Sequence, residues 1–183
     1  MLMYLGSTRQ PLRNRVIFLL SVKSGMRSKE ISGIKWSMMT SVAGDLGDSI
    51  YLTNDISIGK FGSRVIPIHK ELQKLLVQFY GQEQTRKGFD IQASYVVRTE
   101  RSINTSSQAI VNMFQRWYRD LGFVGYSSHS GRRTFITDLS KKVSLVGGSL
   151  RDVQILAGHK NLQTTQRYVE VDTDCQRKMV DLI

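Results

Sequence analysis

A chain of 183 residues is long enough for one domain with a sizeable core, and 40% apolar residues is globular composition, neither disorder nor a membrane span. A single cysteine, Cys175, excludes an internal disulfide and a multi-cysteine metal site, and it fits a reducing, intracellular setting. Lys and Arg number 26 against 15 Asp and Glu, and the resulting charge of +11 points to a polyanionic partner, above all nucleic acid.

In chain order, residues 11–23 place Leu12, Val16, Leu19 and Leu20 at helical spacing. "SGMRSKEISGIKW" turns through Gly25 and opens a second helix. Met39–Val42, Ser49–Thr53 and Arg64–Ile68 read as strands, with "GDLGD" and "GKFGS" as the turns between them, so a small three-stranded antiparallel sheet is expected. Helical spacing returns at Leu72, Leu75, Leu76 and Phe79, and again at Ile110, Met113, Phe114, Trp117 and Leu121. A further helix starts near Ser130 and turns Phe135, Ile136 and Leu139 inward. Ser149 is an N-cap for a helix through Leu156, which Gly158 stops. The tail from Asp172 to Ile183 reads as one more short helix. The fold class is α+β, mostly helical. No repeat and no Pro/Gly/Ser-rich linker divides the chain, so one domain is expected. No apolar run is long enough to span a bilayer, and "MLMYLGSTRQ" lacks the regions of a signal peptide.

Chemistry concentrates in a few polar stretches. In "SSHSGRRTFIT", His129 and Arg132 lie three apart at a helix start and so share a face. The planar fork of Arg132 suits phosphate oxygens, and helix N-terminal amides add positive potential there. No acid follows until Asp138, so an anion site explains the arginine better than a surface salt bridge. Arg133 projects about a third of a turn away. Arg27 stands at a helix start just after a turn, and Lys60 at a hairpin tip; each alone is a weak signal. Glu30 is read equally as a residue that orients Arg27 and as a surface acid. In "GHKNLQTTQRYVEV", His159 precedes Tyr168 by nine residues in a polar stretch with no core to fill.

Taken in order, Arg27, Lys60, His129-x-x-Arg132, Leu-x-Gly-His159 and Tyr168 resemble the tyrosine recombinase (phage integrase) family. "SGMRSKEISGIKW", "HSGRRTFIT" and "LAGHKNLQTTQRY" look like its first arginine, H-x-x-R and histidine-to-tyrosine segments, and the resemblance runs from about residue 12 to the C-terminus. It implies the family's catalytic-domain fold over residues 1–183, without the usual N-terminal core-binding domain. It also implies six catalytic residues. Tyr168 is the nucleophile, on a short polar loop that lets it swing in. Arg27 and Arg132 clamp the scissile phosphate, and His159 adds a hydrogen bond. His129 accepts or shuttles the phenol proton, and Lys60 protonates the leaving 5′-oxygen. Arg133, Lys160 and Arg167 are the expected DNA contacts.

The implied reaction is site-specific cleavage and rejoining through a 3′-phosphotyrosine, with Holliday-junction strand exchange and no metal, ATP or other cofactor. The sequence carries no acidic triad, Gly-rich phosphate loop or zinc spacing. The implied partner is double-stranded DNA, held by a homo-tetramer that is a monomer or weak oligomer when free, in the cytoplasm or nucleoid and not at a membrane. Met179, Val180, Leu182 and Ile183 would pass to a neighbouring subunit or fold back on their own. Two rivals stay open: a type IB topoisomerase or telomere resolvase with the same chemistry, and a DNA-binding regulator that cuts nothing.

Overall fold

The computed structural model describes residues 1–57, 63–100, 102–169 and 181. Its α-helices are α1 (Leu2–Gly6), α2 (Pro11–Ser24), α3 (Ser28–Gly33), α4 (Lys70–Gln84), α5 (Ser107–Asp120), α6 (Ser130–Lys142), α7 (Leu150–Ala157) and α8 (Leu162–Gln166). Two strands, β1 (Ser49–Leu52) and β2 (Arg64–Pro67), lie between α3 and α4, and short 3₁₀ turns cover Trp36–Met38 and Val143–Val146.

Local chemistry accounts for the helix ends. Pro11 opens α2, where its missing N–H costs nothing. Gly25 closes it at φ 61°, and a Cβ there would run into the ring of Phe135. Ser149 and Asp152 cap α7 reciprocally, with the Ser149 N–H donating to Asp152 Oδ2 at 2.8 Å. Gly158 ends that helix at φ 61°.

The main core joins Val16, Ile17 and Leu20 of α2 to Trp36, Ile50, Ile66, Leu72 and Leu76, and to Ile110, Phe114 and Trp117 of α5. Each such side chain contributes roughly 1.5–3 kcal/mol by leaving water. A smaller cluster gathers Phe135 and Ile136 of α6 with Val153 and Ala157 of α7, and Tyr168 packs against it. That packing brings the C-terminal part of the chain to the end of α2.

The sheet has two strands, not the expected three. β1 and β2 pair antiparallel, with Ile50 opposite Ile66 and Leu52 opposite Arg64. The Met39–Val42 segment bonds within its own loop instead: Ser41 N–H donates to Asp45 O at 2.8 Å and Gly47 N–H to Met39 O at 2.8 Å. Its one bridge, Thr40 to Leu46, closes that loop on itself, so those backbone groups are not offered to β1. Along β1 and β2 the side chains alternate. Tyr51 and Val65 face out, while Leu52, Arg64 and Ile66 face in. Lys60 lies outside the described residues, in the connection between these strands, as does the expected tail helix apart from Asp181.

Candidate active site

Arg27 is the N-cap of α3, directly after the turn that ends α2. Its N–H donates to Glu30 Oε2 at 2.7 Å and its guanidinium approaches Glu30 Oε1 at 3.3 Å. Glu30 is completely buried, which settles its role: it holds Arg27 and is no surface acid. On its other side Glu30 meets a residue that sequence reading passed over. Arg64 forks onto the same carboxylate, Nη1 to Oε1 at 2.8 Å and Nη2 to Oε2 at 3.1 Å, and its Nε donates to Leu156 O at 3.0 Å. The signal was present in the strand pattern, because Arg64 shares its phase with the buried Ile66.

Arg132 is buried on α6 and donates to two main-chain carbonyls, Gly25 O at the end of α2 and Ala157 O at the end of α7. Among the described residues it has no carboxylate partner of its own. Burial, and next to it the positive Arg27 and Arg64, push its pKa down to about 9, so it still carries its charge at neutral pH. Among the described residues, three guanidiniums therefore gather around one carboxylate, and these groups together keep surplus positive charge.

His159 follows the Gly158 turn. Its Nδ1 lies 2.9 Å from Thr165 Oγ1, and its ring stacks on that of Tyr168 with centroids 5.8 Å apart and planes 22° apart. Gln154 Nε2 donates to the carbonyls of His159 and Lys160, pinning the turn. Burial first, then Arg132, Arg27 and Arg64, push the His159 pKa down to about 4, so the ring is neutral at pH 7. The link from His159 to Tyr168 is not wholly a loop: α8 occupies its middle, and the Tyr168 N–H donates to Thr165 O at 3.0 Å.

The fold thus brings Arg27, Arg132, His159 and Tyr168 together. His129 stands exposed as the N-cap of α6 and makes no capping bond through its side chain. Arg133, Lys160 and Arg167 are all exposed. Lys60 lies outside the described residues. Among the described residues no three His, Cys, Asp or Glu side chains gather as a metal site, and no helix is long and apolar enough to cross a membrane.

A depressed histidine pKa has a thermodynamic consequence. The unfolded chain takes up a proton near pH 6.5 and the folded chain only near pH 4, so the stabilisation is complete above 6.5 and is lost as pH falls through that window. With solvent screening at a half-buried ring, the expected loss is on the order of 1–2 kcal/mol. Urea unfolding from pH 7 to pH 4, compared with His159→Gln, should show it as a pH slope that the variant lacks.

The family model of the phage integrase family matches residues 1–174. The chain is 28% identical over 173 residues to tyrosine recombinase XerC of Actinobacillus pleuropneumoniae serotype 7 (strain AP76), covering 93% of this chain and 51% of that protein. It is 27% identical over 175 residues to tyrosine recombinase XerA of Pyrococcus horikoshii, covering 96% and 56%. The chain thus spans about half the length of the relatives it matches. Its fold superposes on the crystal structure of XerA recombinase with TM-score 0.72 at 21% identity, covering 99% of this chain and 61% of that one. It superposes equally, at 18% identity, on the Tn1549 transposon integrase in complex with circular intermediate DNA, covering 100% and 64%. The helical frame, the inward arginines and the His159–Tyr168 pair stand on a fold shared with these proteins, and the chain belongs to the phage integrase family.

Proposed function

We propose that residues 1–183 form the catalytic domain of a site-specific DNA recombinase that cleaves and rejoins duplex DNA through a 3′-phosphotyrosine. The observation that carries this reading is the stacking of Tyr168 on a neutral His159 beside an arginine cluster with surplus charge. The family relationship supports it, as does the likeness in fold to recombinases solved on DNA, such as XerH bound to its difH substrate.

Attack on a phosphodiester builds negative charge on its non-bridging oxygens, and fixed donors must meet that charge. Arg27 and Arg132 supply two guanidiniums and His159 a hydrogen bond. Tyr168 Oη bonds to phosphorus, and the bond from phosphorus to the 5′-oxygen breaks. His129 takes the phenol proton, and Lys60 delivers a proton to the departing oxygen. The new ester keeps the energy of the phosphodiester, so a second 5′-hydroxyl reseals the strand with neither ATP nor metal. Arg133, Lys160 and Arg167 hold the DNA backbone. Four copies act together on two duplexes, and the free chain is a monomer or weak oligomer.

The test is a covalent trap. The protein is incubated with a pool of nicked duplexes from source DNA, whose cleaved ends diffuse away, and run on a denaturing gel. The wild type should give a shifted protein–DNA band, and Tyr168→Phe should give none while keeping salt-sensitive binding. Salt-sensitive binding with no band from any duplex means either that cleavage needs a further N-terminal domain or that the protein is a regulator that cuts nothing, for which the charge of +11 would suffice; a longer chain that includes such a domain separates the two.

A further inference from the structure

The geometry points to Thr165 as a positioning residue that fixes the tautomer of His159 and, through its own carbonyl, seats Tyr168; its catalytic consequence rests on the phosphotyrosine reading above. Thr165 is completely buried on α8, and its hydroxyl lies 2.9 Å from His159 Nδ1. Among the described residues that hydroxyl has no other hydrogen-bond partner. A buried O–H needs an acceptor, and a hydroxyl that merely accepted from an Nδ1–H would leave its own hydrogen stranded. Thr165 therefore donates, and Nδ1 keeps its lone pair.

The neutral ring has one remaining proton, and it must sit on Nε2. Among the described residues Nε2 has no partner, so its N–H is open to a phosphate oxygen. The opposite tautomer would turn a lone pair toward that anion and lose the contact. Thr165 thus converts a histidine with two possible faces into a one-directional donor. The same residue accepts the Tyr168 N–H on its carbonyl at 3.0 Å, so one turn of α8 sets both the donor and the nucleophile. The neighbouring Thr164 does neither: it is exposed, and its N–H only bonds back to Asn161 O within the helix.

Long-range ¹H–¹⁵N correlation spectra of the full ¹⁵N-labelled chain at pH 7 read the tautomer directly. The chain has 3 histidines, so His69→Gln and His129→Gln assign the His159 signals. The wild type and Thr165→Ser should show His159 protonated on Nε2. Thr165→Val, which keeps the shape and removes the hydroxyl, should show a mixture or the Nδ1–H form; Thr165→Ala makes the same comparison if valine crowds the helix. In the covalent trap, Thr165→Val should form phosphotyrosine about 10–100-fold more slowly, the scale seen when the outer partners of ligating histidines are removed, with DNA affinity unchanged and serine restoring the rate. A wild-type ring protonated on Nδ1, or a tautomer that Thr165→Val does not move, overturns the assignment. A tautomer contrast in a wild type that traps no DNA upholds the role of Thr165 toward His159 and removes only its catalytic consequence in this chain.

Discussion

Arg132→Lys should form phosphotyrosine about 10²–10³-fold more slowly than the wild type, the cost of removing one preorganised donor to a developing oxyanion. Lysine keeps the charge and loses the fork, so the variant separates geometry from electrostatics. In the structure that fork is already engaged from behind, by Gly25 O and Ala157 O, and these contacts aim it. An ammonium group cannot reach both carbonyls and a phosphate in one plane. Two buried carbonyls then lose a donor, and stability should fall by about 1–3 kcal/mol. Thermal melts place the working temperature where both proteins are folded, and single-turnover trapping is compared there. A rate within threefold of the wild type would show that Arg132 is a structural residue and not a phosphate ligand.

The partners of Arg132 also explain how the pocket stays positive. Gly25 O, Ala157 O and Leu156 O all lie at the C-terminal ends of helices, where unpaired carbonyls favour cations. They orient Arg132 and Arg64 without supplying a full negative charge. Carboxylate partners in their place would neutralise the charge a phosphate needs. Glu30 is the exception, and two arginines share it. The helix ends made by Gly25 and Gly158 are therefore part of the site as well as of the fold.

Those ends were legible in the sequence, because caps are local: Ser149 and Gly158 bound α7 as their residue types require. Arg27, Arg132, His159 and Tyr168 were picked out by the resemblance of their segments to a known family, although nothing local says that they meet. Glu30 was not resolved by sequence, since an acid one turn after an arginine occurs as often on a surface. Arg64 was missed because its partners, Glu30 and Leu156, lie far from it in the chain, and only the strand phase hinted that it points inward. The third strand failed for the opposite reason. Met39–Val42 has apolar and branched residues, but the turn that follows satisfies its backbone locally. Helix α8 has only five residues, too few to form by propensity, and it is held by the contacts of Thr165 and Tyr168.

Arg64→Met should have the largest effect on stability, a loss of about 3–5 kcal/mol, because it removes the bidentate partner of a buried carboxylate and leaves Glu30 with a single, longer ion pair. Glu30 would keep only the 3.3 Å contact to Arg27 and that residue's N–H, and Leu156 O would lose its donor. The pH dependence identifies the cause. Burial pushes the Glu30 carboxyl up, but the hydrogen bonds and charges of Arg64 and Arg27 together hold it below its ordinary value of 4.5. A depressed acid stabilises the fold above that ordinary value, and the contribution is lost as pH falls through the folded pKa. In Arg64→Met the buried carboxyl should titrate above 4.5, which reverses the sign: this variant should gain stability relative to wild type as pH drops from 7 toward 4. Urea unfolding at a series of pH values reads both the loss at pH 7 and the opposite slope. The double variant Glu30→Gln/Arg64→Met should recover much of the loss, since no buried carboxylate is left without its arginine. A deficit in Arg64→Met that is independent of pH would instead locate the cost in packing and in the Leu156 carbonyl, and would remove the ion pair from the account of how β2 is fastened to the arginine cluster.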